Sequence, residues 1–273
     1  MQFRLFAALV TCALVAGSAI ASPDRIKLLE GPAALAKLTP EQQKEDGRGY
    51  LTADPVAIAA AMLAAPASDS PADKADVALF QEMYRSASAE RFKTAQDDDA
   101  TMYGRFNDQL GLALDREHLP TLVTLLNRVA ADAFAVTSEA KKRYSRPRPY
   151  QRLKLKRVCG FDRAPAPEAS PTKGTSYPSG HASVSWSVAL VLMEVAPASA
   201  QAIIGRAVSY GNSRVVCGLH FPADIEAGHY LGSAVVARLF ESPEFVHDLK
   251  CARREFEAVA AGETSADLPA CAP

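Results

Sequence analysis

Residues 120–141 read PTLVTLLNRVAADAFAVTSEAK, and their apolar positions decide the fold class. Leu122, Leu125, Leu126, Val129, Ala133, Phe134 and Val136 recur at spacings of three and four, the signature of one buried face of a helix. Pro120 stands where a first-turn proline is tolerated, because its missing N–H would have no partner there anyway. The same period continues on either side. Asp54-Pro55 opens an alanine-rich helix, and Ser70-Pro71 opens another. Residues 181–195 and 223–240 are the most apolar helical stretches, the latter with small Gly228, Gly232, Ser233 and Ala234 for close packing. β-Branched runs alternating with period two are nearly absent. The expectation is an all-α fold, a single multi-helix bundle of eight or nine helices. Two irregular regions interrupt it: a proline-rich loop over 144–178, long enough to be functional, and a second over 211–222.

The chain opens with MQFRLFAALVTCALVAGSAIA, residues 1–21. Arg4, a short apolar core and Ala19-Ile20-Ala21 make this a signal peptide by its local features. Residues 22–262 are then the folded domain and 263–273 a tail. No later stretch offers 18 uninterrupted apolar residues, so a membrane anchor is not expected. After removal of the leader, 29 basic and 31 acidic residues remain, a formal charge near −2, which argues against a nucleic-acid polymer as partner. Of five cysteines, Cys159, Cys217, Cys251 and Cys271 survive cleavage, and an exported chain with an even number suggests two disulfides. Three connectivities are open; separation along the chain favours Cys159–Cys217 and Cys251–Cys271.

Three short segments carry chemistry. AKKRYSRPRPY, residues 140–150, clusters cations and fixes Arg146 and Arg148 between prolines, which preorganises them as forks for an oxyanion. TSYPSGHAS, residues 175–183, puts Ser179 and Gly180 at a helix start, where unpaired N–H groups favour an anion, with His181 one residue inside. SRVVCGLHFPAD, residues 213–224, supplies Arg214, His220 and Asp224. Each has an ordinary reading as a solvated helix end or a cap. Asp224 as an N-cap beside an unrelated histidine would be the commoner case for that segment taken alone.

Together the three resemble the signature of the type 2 phosphatidic-acid phosphatase/vanadium haloperoxidase superfamily. SYPSGHAS and SRVVCGLHFPAD look most like the class A bacterial nonspecific acid phosphatases. The resemblance covers most of the chain after the leader and is densest over 120–240. It implies an exported, periplasmic phosphomonoesterase in which His220 attacks phosphorus to form a phosphohistidine. Asp224 would orient that ring and His181 would protonate the leaving group. Lys141, Arg148, Ser179, Gly180 and Arg214 would hold the phosphate. One departure is visible: Ala182 stands where the family usually has threonine, which puts a local helix-start hydrogen bond in doubt.

The chemistry agrees with the resemblance. Phosphoryl transfer needs charge neutralised on three oxygens, and without a metal-ligand motif three cationic side chains carry that work; no metal or cofactor is expected. The expected partners are small phosphomonoesters, with homo-oligomerisation and transfer of phosphate to an alcohol left open. The competing readings are a vanadate-dependent haloperoxidase on the same scaffold, a lipid phosphatase, and a non-catalytic exported helical protein. Haloperoxidases of this type are generally much longer chains, and lipid-acting members carry transmembrane helices. Outside the three segments, His229 reads as a packed histidine and His118 and His247 as surface residues. Trp186 and Met193 read as core, whereas Tyr144, Tyr150 and Tyr177 border the cleft, where they could stack on an aromatic leaving group.

Overall fold

Proline and serine punctuate the helix starts of this chain, and the computed structural model follows that punctuation closely. It describes residues 28–31, 37–51, 55–60, 62–160 and 175–271. The leader, Asp54 and the middle of the proline-rich loop lie outside these residues.

Among the described residues, eleven α-helices of four residues or more follow in order. They are α1 (Pro40–Gly47), α2 (Pro55–Ala60), α3 (Pro71–Ser86), α4 (Ala89–Ala100), α5 (Asn107–Leu110), α6 (Pro120–Lys141), α7 (Pro149–Arg152), α8 (Gly180–Val195), α9 (Ala200–Val216), α10 (Pro222–Leu239) and α11 (Pro243–Ala260). The described residues contain no strand; Pro147 and Thr175 form one isolated antiparallel bridge. The fold is all-α. The helices outnumber the eight or nine expected because α5 and α7 are single turns, too short to leave a periodic signal.

α6, α8 and α10 are the centre of the bundle. α6 packs against α1, α2, α8, α10 and α11, and α8 against α6, α9 and α10. α8 is apolar nearly all round, as befits a helix packed on most sides, with Trp186, Leu190 and Met193 half-buried along its remaining face. Two of its serines bond back along the helix: Ser187 Oγ donates to the Ser183 carbonyl at 2.9 Å and Ser185 Oγ to the Ala182 carbonyl at 3.3 Å. α10 comes unusually close to α8, because a Cβ at Gly228 would lie 2.7 Å from the Ser179 carbonyl and 2.8 Å from the Ala182 methyl.

Capping is partly tertiary. Ser70, Ser179 and Ser242 cap α3, α8 and α11 with their own hydroxyls. The start of α6 has no local cap; Glu255 of α11 accepts from the Thr121 and Leu122 amides, both at 2.9 Å.

The second irregular region needs correction. Residues 211–216 are the last turns of α9, and only 217–221 form a turn. Gly211 and Asn212 are weak helix formers, but the close approach of α10 decides here: a Cβ at Gly211 would sit 2.8 Å from Ile225. Both favoured disulfides are present, Cys159–Cys217 with Cα atoms 4.9 Å apart and Cys251–Cys271 at 5.8 Å. The first fastens Cys159, after α7, to the end of α9, and the second anchors the tail to α11.

Candidate functional site

The starts of α8 and α10 meet, and the helix ends of α6 and α9 close on them. The Ser179 amide donates to the Asp224 carbonyl at 2.9 Å, tying the two helix starts together. Ser179, fully buried, uses its hydroxyl to accept from the Ala182 amide at 3.2 Å. Ala182 has no hydroxyl to add a further helix-start bond, and its methyl packs into the α8–α10 contact. Gly180 faces the last turns of α6, where a Cβ would lie 3.6 Å from Thr137.

His220 sits in the turn after α9. The chain reverses through Gly218, whose positive φ of 75° suits glycine. The amides of Leu219 and His220 both donate back to the Arg214 carbonyl. The ring is buried. Its Nε2 lies 3.0 Å from Arg148 Nη1, and a guanidinium can only donate, so Nε2 carries the lone pair and the proton belongs on Nδ1. Nδ1 faces Asp224 Oδ2 at 3.5 Å. That carboxylate is held by other groups: Oδ2 accepts from the Phe221 amide and Oδ1 from Arg146, both at 2.7 Å. Burial pushes the Asp224 carboxyl up, and Arg146 is the chief group opposing it.

The cations crowd around this ring. Lys141, at the end of α6, donates to the Thr175 carbonyl at 3.1 Å, and burial, helped by Arg148, brings its ammonium down to about 7. Arg148 donates to the Leu219 carbonyl at 2.9 Å as well as to His220. Burial lowers His220 well below the ordinary histidine value, and Arg148, Lys141, His181 and Arg214 lower it further. His181 is depressed by burial first and then by Arg214, with Asp99 pulling the other way. Lys141, Arg148, His181, Arg214, His220 and Asp224, from three separate segments, thus share one locus, in which Arg214, His220 and Asp224 are buried and Lys141, Arg148 and His181 are half-buried. As chemistry, it is a lone-pair nitrogen facing a ring of donors, suited to a tetrahedral oxyanion.

Two expectations are met differently. Arg146 does not join the anion ring: it is buried beneath Asp224, bonded to Asp224, Asp73 and Asp76. Pro147 after it restricts the backbone, but backbone rigidity says nothing about which carboxylate the fork will find. Arg214, fully buried, has its own counterion, Asp99 of α4, and also donates to the Ala95 carbonyl at 3.0 Å. Asp73, Asp76 and Asp99 carry no distinctive signal in the sequence. The first two look like ordinary acids in the first turns of a helix, and the third sits in an Asp97–Asp99 run that reads as a solvated face.

The lesser candidates sort as follows. His229 stacks on Trp186 with centroids 4.1 Å apart, and burial lowers it to about 4. His118 is exposed beside Asp115. The Tyr144 and Tyr177 rings meet edge to face at 4.9 Å, and both hydroxyls donate to the Leu63 carbonyl.

Comparison with known proteins agrees with this geometry. Residues 121–246 match the model of the PAP2 superfamily. The chain is 33% identical over 208 residues to an acid phosphatase of Zymomonas mobilis, covering 75% of this chain and 76% of that one. It is 33% identical over 195 residues to a non-specific acid phosphatase of Salmonella typhimurium, covering 70% and 76%. A non-specific acid phosphatase of Providencia stuartii is 32% identical over 186 residues, covering 66% and 73%.

Proposed function

The chain belongs to the PAP2 superfamily, among its bacterial non-specific acid phosphatases, and on that premise we propose that it is an exported phosphomonoesterase working through a phosphohistidine. The observation that carries the mechanism is the orientation of His220, with the Nε2 lone pair toward Arg148 and Nδ1 toward Asp224.

Lys141, Arg148 and Arg214 neutralise the phosphate oxygens, with the Ser179 hydroxyl and the Gly180 amide as neutral donors. Arg148 releases Nε2 as it turns to the substrate. Nε2 then attacks phosphorus in line with the ester oxygen, the P–O bond breaks, and His181 gives its proton to the departing alkoxide. The ring becomes cationic, and Asp224 accepts from Nδ1–H and stabilises that charge. His181, now neutral, takes a proton from water as its oxygen attacks phosphorus. The P–N bond breaks, phosphate leaves, and both histidines return to their starting states. An alcohol in place of that water gives phosphotransfer. No helix among the described residues is long and apolar enough to cross a membrane, and export follows from the leader.

Brief reaction with a 32P-labelled phosphomonoester, followed by alkaline quench, tests the intermediate. The wild type is expected to retain acid-labile, base-stable label, and His220→Ala to lose both the label and p-nitrophenyl phosphate hydrolysis. Activity surviving in His220→Ala, or abolished by EDTA in the wild type, would sink the mechanism.

A further inference from the structure

Behind the reacting groups lies a chain of buried charges reaching helix α3, which precedes the span matched by the family model. Arg146 is 7% exposed. Its Nη1 donates to Asp224 Oδ1 at 2.7 Å, and its Nη2 donates to Asp73 Oδ1 at 3.1 Å and Asp76 Oδ2 at 2.6 Å. The guanidinium lies over the Phe221 ring, 4.5 Å from its centroid. Asp73 is gripped in turn by both terminal nitrogens of Arg152, at 2.9 and 2.8 Å. Asp76 Oδ1 accepts from the Ala223 amide at 2.9 Å, in the first turn of the helix that carries Asp224.

We propose that Arg146 is a positioning residue for this hydrolysis and that α3 is its platform. Asp73 and Asp76 hold the guanidinium, the guanidinium holds Asp224, and Asp224 fixes the His220 ring with its proton on Nδ1. The proposal rests on the phosphohistidine reading above.

Charge and tautomer explain why such a chain is built. A carboxyl as buried as Asp224 favours its neutral form, because burial penalises the ion. A protonated Asp224 would donate to Nδ1, and a neutral ring accepting there must carry its own proton on Nε2. The lone pair that attacks phosphorus would be gone. Arg146 is the strongest group keeping Asp224 ionised, with the Phe221 amide and Ser176 assisting. The other charged or titratable groups facing Asp224 are His220, Lys141, Arg148, Tyr177 and Asp76. One guanidinium bound to one carboxylate would leave its second nitrogen buried without an acceptor, and Asp73 and Asp76 supply that acceptor. The cluster of Arg146 and Arg152 with Asp73, Asp76 and Asp224 then carries a formal charge of about −1, matched to the cationic ring that forms.

The test uses the full chain with Arg146→Gln, Arg146→Lys, Asp73→Asn and Asp76→Asn, each checked for folding by circular dichroism and thermal unfolding. Expected for the folded Arg146→Gln enzyme is a kcat about 10- to 100-fold lower, the scale of second-layer positioning groups, with KM for p-nitrophenyl phosphate nearly unchanged. The acid limb of its kcat profile should move to higher pH, since Asp224 loses its counterion. Arg146→Lys should recover part of kcat, and added guanidinium should raise the activity of Arg146→Gln. Asp76→Asn should lower kcat by a smaller amount through a less firmly held guanidinium, while its acid limb should stay or move to lower pH, because an anion that repels Asp224 is removed. Folded variants with wild-type kcat and an unmoved acid limb would overturn the proposal, as would losses that track only the unfolded fraction. If Arg146→Gln does not fold, the lysine and asparagine variants decide by the same two readouts. Wild type that forms no phosphohistidine would overturn the underlying reading. Wild type that forms one while Arg146→Gln forms it equally fast would overturn this proposal alone.

Discussion

Asp99 couples two groups of the site at once. It is the counterion of Arg214, and it opposes the depression of His181 by burial and by the neighbouring cations. A general acid works only while protonated, so activity is lost as pH rises past its pKa. Removing the Asp99 carboxylate leaves His181 with only groups that lower it. Asp99→Asn should therefore shift the alkaline limb of the kcat profile to lower pH and cost roughly tenfold in kcat near neutrality, on the scale of impaired acid catalysis. A profile of kcat against pH for p-nitrophenyl phosphate decides it, and an alkaline limb that stays put or rises excludes Asp99 from tuning the acid. Nothing in the sequence pointed to this residue. A run of three aspartates is most simply a solvated helix face, and only the packing of α4 on α9 turns one of them toward Arg214.

At the scale of elements, the anion-binding helix start depends on how closely α8 and α10 approach. A methyl group at Gly228 would press on the Ser179 carbonyl, which is backbone and cannot rotate away. Gly228→Ala should destabilise the protein by about 1–3 kcal/mol, as overpacking does, and lower kcat by displacing Ser179 and Gly180. Thermal unfolding with kcat on the folded fraction is the measurement; an unchanged melting temperature would show that the helices can separate freely. The small residues of α10 were legible as packing residues, and the amphipathic stripe of α6 was legible as a helix. The end of α9 was not, since Gly211-Asn212-Ser213 has poor intrinsic propensity and its helicity comes from contacts far along the chain. The pairing of His220 with Asp224 was legible only from the three segments together, since their spacing around Pro222 alone favours an N-cap beside an unrelated histidine. The α3 platform was not legible, because Asp73 and Asp76 lie about 150 residues from Asp224 and each has a sufficient local explanation as a helix-start acid.

For the whole molecule, burying the site makes stability depend on pH in a way that can be assigned to residues. His181 is held down at about 3 and His220 well below its ordinary 6.5, so from about pH 6.5 downward the unfolded chain binds protons that the native rings refuse. Each ring thus lets native stability fall with acidification by up to about 1.4 kcal/mol per pH unit. Asp46 works in the opposite direction at the far end of the bundle. Burial raises its carboxyl to about 6 from 3.8, so the native state takes up a proton first, and this contribution grows as pH falls from 6. The two effects overlap in the total but separate by substitution. Relative to wild type, His181→Asn should gain stability between pH 7.5 and pH 5, by about 1–2 kcal/mol if the ring remains neutral throughout. Asp46→Asn should lose relative stability over the same interval. Urea unfolding of the three proteins at both pH values measures the differences, and a His181→Asn offset independent of pH would mean that this ring is protonated in the native site at pH 5. A phosphate dianion bound among Lys141, Arg148 and Arg214 favours the cationic form of His181, so added inorganic phosphate should stabilise the wild type and shrink the pH-dependent advantage of His181→Asn.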